Sequence, residues 1–238
     1  MKTESIEIRE IKAVIFDMDN TLFDFVDAKM KACEKVSSSL GTDDGSELFK
    51  YFLRDGVGFE DLECIADYLR DKRIYEESTY KRCCDIYEKA KLRNIETYDG
   101  VEETLRFLKE KGYKLGLVTN ADRKNLDARL KKTNLICFFD ITVSSEETGE
   151  VKPNLSPLIL ALKNLELEAK EVLKVGDSLK RDISPANELG MVTAYAEYGD
   201  RNIGEGEGNR NPDKKGDLKP DLTLRDIRDL TKLFKSDN

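Results

Sequence analysis

The chain has 238 residues, 39% of them apolar and 37% charged, and its 40 Lys+Arg against 48 Asp+Glu leave a formal charge of −8. That length fits one large domain or one domain carrying an insertion, with a sizeable core under a densely ionic surface. The negative field works against nucleic acid and anionic lipid as partners, and the absence of any histidine removes Ser-His-Asp and Cys-His triads, His-ligated zinc and HExxH metalloproteases together. Chemistry is left to carboxylates, Lys, hydroxyls and thiols. Five cysteines, Cys33, Cys64, Cys83, Cys84 and Cys137, form an odd set without C-x-x-C spacing, and residues 1–12 lack the apolar stretch of a secretory signal. Both features predict a reduced, cytoplasmic protein. No apolar run approaches the ~18 residues of a bilayer span, so no membrane partner is expected.

Ala13-Val14-Ile15-Phe16 is a continuous apolar run cut off at Asp17, which predicts a strand buried on both faces. Residues 24–97 then show only helical periodicity. Met30, Cys33, Val36 and Leu40 fall on one face, as do Phe59, Leu62, Ile65, Ala66 and Leu69, and then Tyr80, Cys83, Cys84 and Tyr87. This predicts a helical insertion with turns at 41–45 and 55–58 and a return hinge at Thr97-Tyr98-Asp99-Gly100. Beyond it the periodicity alternates. Val101, Leu105 and Leu108 give a helix ending at Gly112, followed by strands at Lys114–Val118 and 139–143. Leu158, Ile159, Leu162 and Leu165 give a helix with Pro157 near its start, followed by strands at 172–175 and 192–195. Residues 199–217, rich in Gly, Asn, Asp, Arg and Lys, predict a mobile loop before a closing strand at 220–224 and a last helix through Leu224, Ile227, Leu230 and Phe234. Strands alternating with helices imply βαβ units, hence an α/β core of parallel strands from residues 1–23 and 98–238 with a helical cap domain inserted at 24–97. Ligands of such sheets bind at the carboxyl ends of the strands.

The first strand empties into Asp17-Met18-Asp19-Asn20-Thr21, two carboxylates suited to act as nucleophile and proton donor. Alone, a D-x-D is equally a solvated turn. Other strand ends add to it: Thr119-Asn120 offers a hydroxyl and an amide for phosphoryl oxygens, and Lys152, before Pro153, offers a cation. Gly176-Asp177-Ser178-Leu179-Lys180-Arg181-Asp182 delivers two further carboxylates. Asp17, Asp19 and Asp177 form an oxygen-rich set suited to Mg²⁺.

These four segments, in this order and at these boundaries, resemble the four motifs of the haloacid dehalogenase (HAD) superfamily, and the insertion after the first is similar to the small helical cap of its phosphoglycolate-phosphatase-like members. The resemblance spans nearly the whole chain and implies a Rossmann-like HAD core with Mg²⁺ as cofactor. It implies that Asp17 attacks phosphorus to form an aspartyl-phosphate and that Asp19 protonates the leaving alcohol and then activates water. Mg²⁺ would be held by Asp17, the Asp19 carbonyl and Asp177, with Asp182 orienting the metal water or Lys152. Thr119, Lys152 and the backbone N–H groups of Met18 and Asn120 would hold the phosphoryl oxygens. A carboxylate at Asp19 matches phosphate-ester hydrolysis; dehalogenases and phosphonatases replace that residue.

The expected function is therefore a Mg²⁺-dependent phosphatase acting on small phosphate monoesters. Phosphoglycolate, glyceraldehyde 3-phosphate, other sugar phosphates and nucleotides all fit as substrates. The alternatives are a phosphomutase and a non-catalytic phosphate-ligand or partner-binding module. Ser178 fits a metal shell or a helix cap. Arg54, Arg70, Lys72 and Arg73 fit a solvated face of the cap or contacts to a second anion of the substrate.

Overall fold

The computed structural model describes residues 10–201 and 219–235. Its sheet has six parallel strands, β1 (Ala13–Phe16), β2 (Lys114–Val118), β3 (Ile141–Val143), β4 (Val172–Gly176), β5 (Val192–Ala196) and β6 (Leu222–Leu224), in the order β3-β2-β1-β4-β5-β6. Chain order runs outward from β1 in one direction and then, from β4, in the other. That reversal beside β1 is where open parallel sheets bind ligands.

Four helices follow β1: α1 (Phe25–Leu40), α2 (Gly45–Tyr51), α3 (Glu63–Asp71) and α4 (Glu77–Arg93). The rest are α5 (Val101–Glu110), α6 (Arg123–Lys132), α7 (Ser145–Thr148), α8 (Ser156–Leu165), α9 (Ser184–Glu188) and α10 (Asp229–Leu233). A π-helical turn, Leu179–Ile183, links β4 to α9. The described residues form two compact units. One holds the sheet, α5–α10 and the chain up to Phe23; the other holds Asp24–Glu96.

In the sheet unit β1 is wholly buried, as its unbroken apolar run requires. Ala13 and Ile15 pack with Val118, Val143 and Val172 against Leu158, Ala161 and Leu165 of α8. Successive side chains of a strand alternate faces, so Val14 and Phe16 serve the opposite face. Where the chain leaves this unit and where it returns, the two segments pair: Phe23 bridges Thr97, and Tyr98 N donates to Leu22 O at 3.0 Å.

In the helical unit, α1 starts at Asp24, whose Oδ1 accepts from Asp27 N at 2.9 Å, and stops at Gly41 in the left-handed region at φ 72°. Its core is Val26, Cys33, Val36, Leu48, Phe52, Tyr68, Leu69 and Tyr87, with Phe52 and Tyr87 stacked at 5.1 Å. Each such side chain contributes roughly 1.5–3 kcal/mol by leaving water. Some expected positions differ. Met30 is 40% exposed, while Lys29, one residue earlier, is buried, because the α1 stripe runs through Phe25, Ala28, Lys29, Ala32 and Val36. Ile159 is likewise exposed on α8, β3 begins at Ile141, and Leu224 ends β6 and is not part of α10. The loop expected at 199–217 lies outside the described residues from 202 on.

Lys29 donates to Phe59 O, and its Nζ lies 3.4 Å from the Phe59 ring centroid and 4.3 Å from that of Phe52. Burial, opposed by Glu60 and aided by Lys91, pushes its pKa down from 10.5 to about 7. The folded chain then binds fewer protons than the unfolded chain between those values. Stability should rise with pH across that window and carry the full cost of a buried ammonium below it. Lys29→Met should be more stable at neutral pH by about 1–3 kcal/mol and lose the upward slope above pH 7. Urea unfolding of both proteins from pH 7 to 10 checks this; parallel curves would show that Lys29 does not carry the effect.

Candidate active site

Asp17 lies one residue past β1, its N–H donating to Val175 O at 2.8 Å, and Asp177 lies one residue past β4. Thr119 lies one residue past β2, with its N–H on Val143 O at 3.0 Å. All three are buried at the carboxyl edge of the sheet, flanking the reversal of strand order. After Asp17 the chain turns tightly: Leu22 N donates to Met18 O at 2.9 Å, Asn20 sits at φ 59°, and its N–H donates to Phe23 O at 2.9 Å. Asn belongs to the few residues that adopt this conformation readily.

Lys152 is the hub. Its ammonium donates to Asp17 Oδ1, to Asp182 Oδ1 at 2.7 Å and to Val118 O at 3.2 Å, a full complement of three. Asn120 fixes where the stem starts: its Oδ1 accepts from Lys152 N at 2.8 Å and its Nδ2 donates to Lys152 O at 3.1 Å. The sequence suggested the Asn120 amide and backbone N–H for phosphoryl oxygens; in the structure the side chain clamps the neighbouring loop instead. Asp182 also receives Lys174 Nζ at 2.9 Å, from the middle of β4. Its carboxyl group lies over Gly176, where a Cβ would stand 2.4 Å from Asp182 Cγ. Only glycine permits that approach.

Burial works against the charge on Lys152, but Asp17 and Asp182 outweigh it and hold its pKa above the ordinary lysine value. Asp182 is likewise disfavoured by burial yet held below the usual carboxylate range by Lys152 and Lys174. Asp177 is pushed well up, first by burial and then by Asp17 and Asp182. Carboxylate oxygens of Asp17, Asp177 and Asp182 lie within 4.8 Å of one another. A buried trio of hard oxygen donors, one member short of counter-charge, fits Mg²⁺. The expected set was Asp17, Asp19 and Asp177. The carboxylate of Asp19 lies outside this trio, with Oδ2 on Arg129 Nη1 at 2.6 Å.

Thr119 Oγ1 accepts from Ala121 N at 3.2 Å, which leaves its proton for donation. Ser178 Oγ accepts from Arg181 N at 3.0 Å and so caps the π-helical turn. In the helical unit Arg54 pairs with Asp67, Arg70 with Glu63 and Asp67, and Lys72 with Asp44 and Glu47. Two site residues escaped the sequence reading. Lys174 had a signal, a cation inside an apolar strand run; Arg129, in a helix crowded with Lys and Arg, had none.

The family model described as haloacid dehalogenase-like hydrolase matches residues 14–196. The chain belongs to that family. Among HAD relatives, pyrophosphatase PpaX of Halalkalibacterium halodurans is 32% identical over 93% of this chain and 95% of its own length. Glyceraldehyde 3-phosphate phosphatase of Methanocaldococcus jannaschii is 28% identical over 95% and 98%. In fold, the HAD phosphatase from Thermococcus onnurineus superposes with a TM-score of 0.62 at 23% identity, covering 94% of this chain and 98% of that one.

A proton on Asp177 would compete with a divalent cation for the same oxygens. Mg²⁺ affinity, measured by titration calorimetry, should weaken as pH is lowered and fall at least about tenfold in Asp177→Asn. Affinity that is independent of pH and unchanged in the variant would remove Asp177 from the metal site.

Proposed function

We propose that the protein is a Mg²⁺-dependent phosphatase that hydrolyses small phosphate monoesters through an aspartyl-phosphate on Asp17. The observation that carries this reading is the Lys152 hub: a buried carboxylate, Asp17, held at a fixed point by a cation that could exchange one of its three contacts for a phosphoryl oxygen. Asp17 Oδ attacks phosphorus as the bond to the leaving oxygen breaks. Asp19 gives that oxygen a proton, then takes one from the water that attacks the aspartyl-phosphate, which returns Asp17 as carboxylate and releases inorganic phosphate. Lys152, the Thr119 hydroxyl and the N–H groups of Met18 and Asn120 hold the phosphoryl oxygens in line. Asp17, the Asp19 carbonyl and Asp177 hold Mg²⁺, which supplies positive charge against the phosphoryl group. Asp182, shared by two lysines, sets the position of Lys152, and Ser178 supports that turn.

The substrate is a small phosphorylated metabolite. Phosphoglycolate, glyceraldehyde 3-phosphate, other sugar phosphates and nucleotides remain the class to screen, and pyrophosphate joins them through the PpaX relative. The 24–97 segment, as a cap, would set the choice among them. The five free cysteines, three of them buried, support a reducing, cytoplasmic setting. Among the described residues no helix is long and apolar enough to cross a membrane.

Phosphate release from p-nitrophenyl phosphate tests the reading. Turnover should require Mg²⁺, and Asp17→Asn should lower kcat by at least about 10³-fold in a protein that still folds, because an amide cannot form the acyl phosphate. Transfer of the phosphoryl group to a sugar phosphate in place of water would favour the mutase. A wild-type protein that binds phosphate esters without turning them over would favour the non-catalytic module.

A further inference from the structure

We propose that Arg129 is a positioning residue for Asp19, fixing the direction of its carboxylate toward the leaving group; this rests on the acid/base role given to Asp19 above. Arg129 Nη1 donates to Asp19 Oδ2 at 2.6 Å, with the arginine side chain 1% and the aspartate side chain 22% exposed. The two lie 110 residues apart in sequence.

The helix explains how the guanidinium gets there. α6 starts at Arg123, directly after the loop that carries Thr119 and Asn120, so its N-terminal end stands at the carboxyl edge of the sheet. Side chains of a helix lean toward its N-terminus, and Arg129 leans toward the site. Leu126, Arg129 and Leu130 make the buried face of α6, so the arginine occupies a place in an apolar stripe. A guanidinium there demands an acceptor, and Asp19 Oδ2 provides one whether the carboxyl group is ionised or carries its proton on the other oxygen.

The effect on Asp19 follows from geometry. A carboxylate turns about two torsions, and tying Oδ2 to a buried, rigid donor fixes its plane and therefore the direction of Oδ1. Orientation set in advance spares the reaction that cost. Asp19 touches only the proton of the leaving oxygen or of water, whereas Lys152 and Thr119 touch the phosphoryl group. Loss of Arg129 should therefore be felt in proportion to how much a leaving group needs a proton. A helix anchor without catalytic consequence would show no such selectivity.

The experiment compares leaving-group release in a single turnover at saturating Mg²⁺ for p-nitrophenyl phosphate and glyceraldehyde 3-phosphate, in wild type, Arg129→Ala, Arg129→Lys, Asp19→Asn and the Arg129→Ala/Asp19→Asn double variant. General acid catalysis contributes about 10²–10⁴-fold, so Arg129→Ala should slow the alkyl ester about 10–100-fold and the aryl ester less than about threefold. Arg129→Lys should fall between, added guanidinium should restore part of the alkyl rate to Arg129→Ala, and the double variant should be no more selective than Asp19→Asn. Equal losses on both esters in Arg129→Ala, with Asp19→Asn still selective, would overturn the role of Arg129 alone. Equal losses in Asp19→Asn as well would overturn the acid/base reading and this proposal with it. If Arg129→Ala fails to fold, Arg129→Lys carries the same comparison, and an unselective loss there counts against the proposal.

Discussion

The ammonium of Lys152 is the constraint on which the site depends. Asp17, Asp177 and Asp182 are all buried at one edge of a sheet, a concentration of like charge that costs far more than any surface ion pair returns. A cation placed between Asp17 and Asp182 makes the arrangement tenable, and Lys174 relieves Asp182 from below. Once these pairings are set, the rest of the local design is support: Gly176 clears space for a carboxyl group, Asn120 fixes the base of the lysine stem, and Ser178 caps the turn that presents Asp182.

The same constraint separates the acids by environment. Asp182 has two cations and stays ionised; Asp177 has burial and like charges and is driven toward its neutral form. Asp19 stands apart, partly exposed and paired with an arginine from another helix. One short stretch of sheet edge thus holds carboxyl groups in three surroundings: between two lysines, buried beside like charges, and partly exposed against an arginine.

What the sequence made legible follows the physics of each signal. β1 was readable to the residue because a doubly buried strand leaves an unbroken apolar run, and β2 because its 115–118 stretch is buried behind a single exposed Lys114. Asp17, Thr119 and Asp177 were readable because each stands where an apolar strand run stops, whereas Lys152 lies on the loop between α7 and α8. On α1, Cys33 and Val36 are buried as expected but Met30 is not, because Lys29 occupies the core place beside it, and hydrophobic periodicity cannot register an apolar stem that carries a buried amine. Arg129 was invisible for a related reason. Its partner is remote in the chain, and only the tertiary fold brings helix and loop together. Asn120 shows the limit within a residue: its place was legible, but the use of its side chain depended on where Lys152 returned.

The pairing of Phe23 with Thr97, and of Leu22 with Tyr98, has a topological meaning. The chain departs and comes back through adjacent, hydrogen-bonded segments, so to the sheet unit the whole of Asp24–Glu96 is equivalent to the loop of a hairpin. Closing a longer loop adds only about 0.6 kcal/mol for each doubling of its length. An architecture of this kind can lengthen, shorten or exchange the inserted segment while the carboxylates downstream of β1 keep their places, so the two units can diverge at different rates.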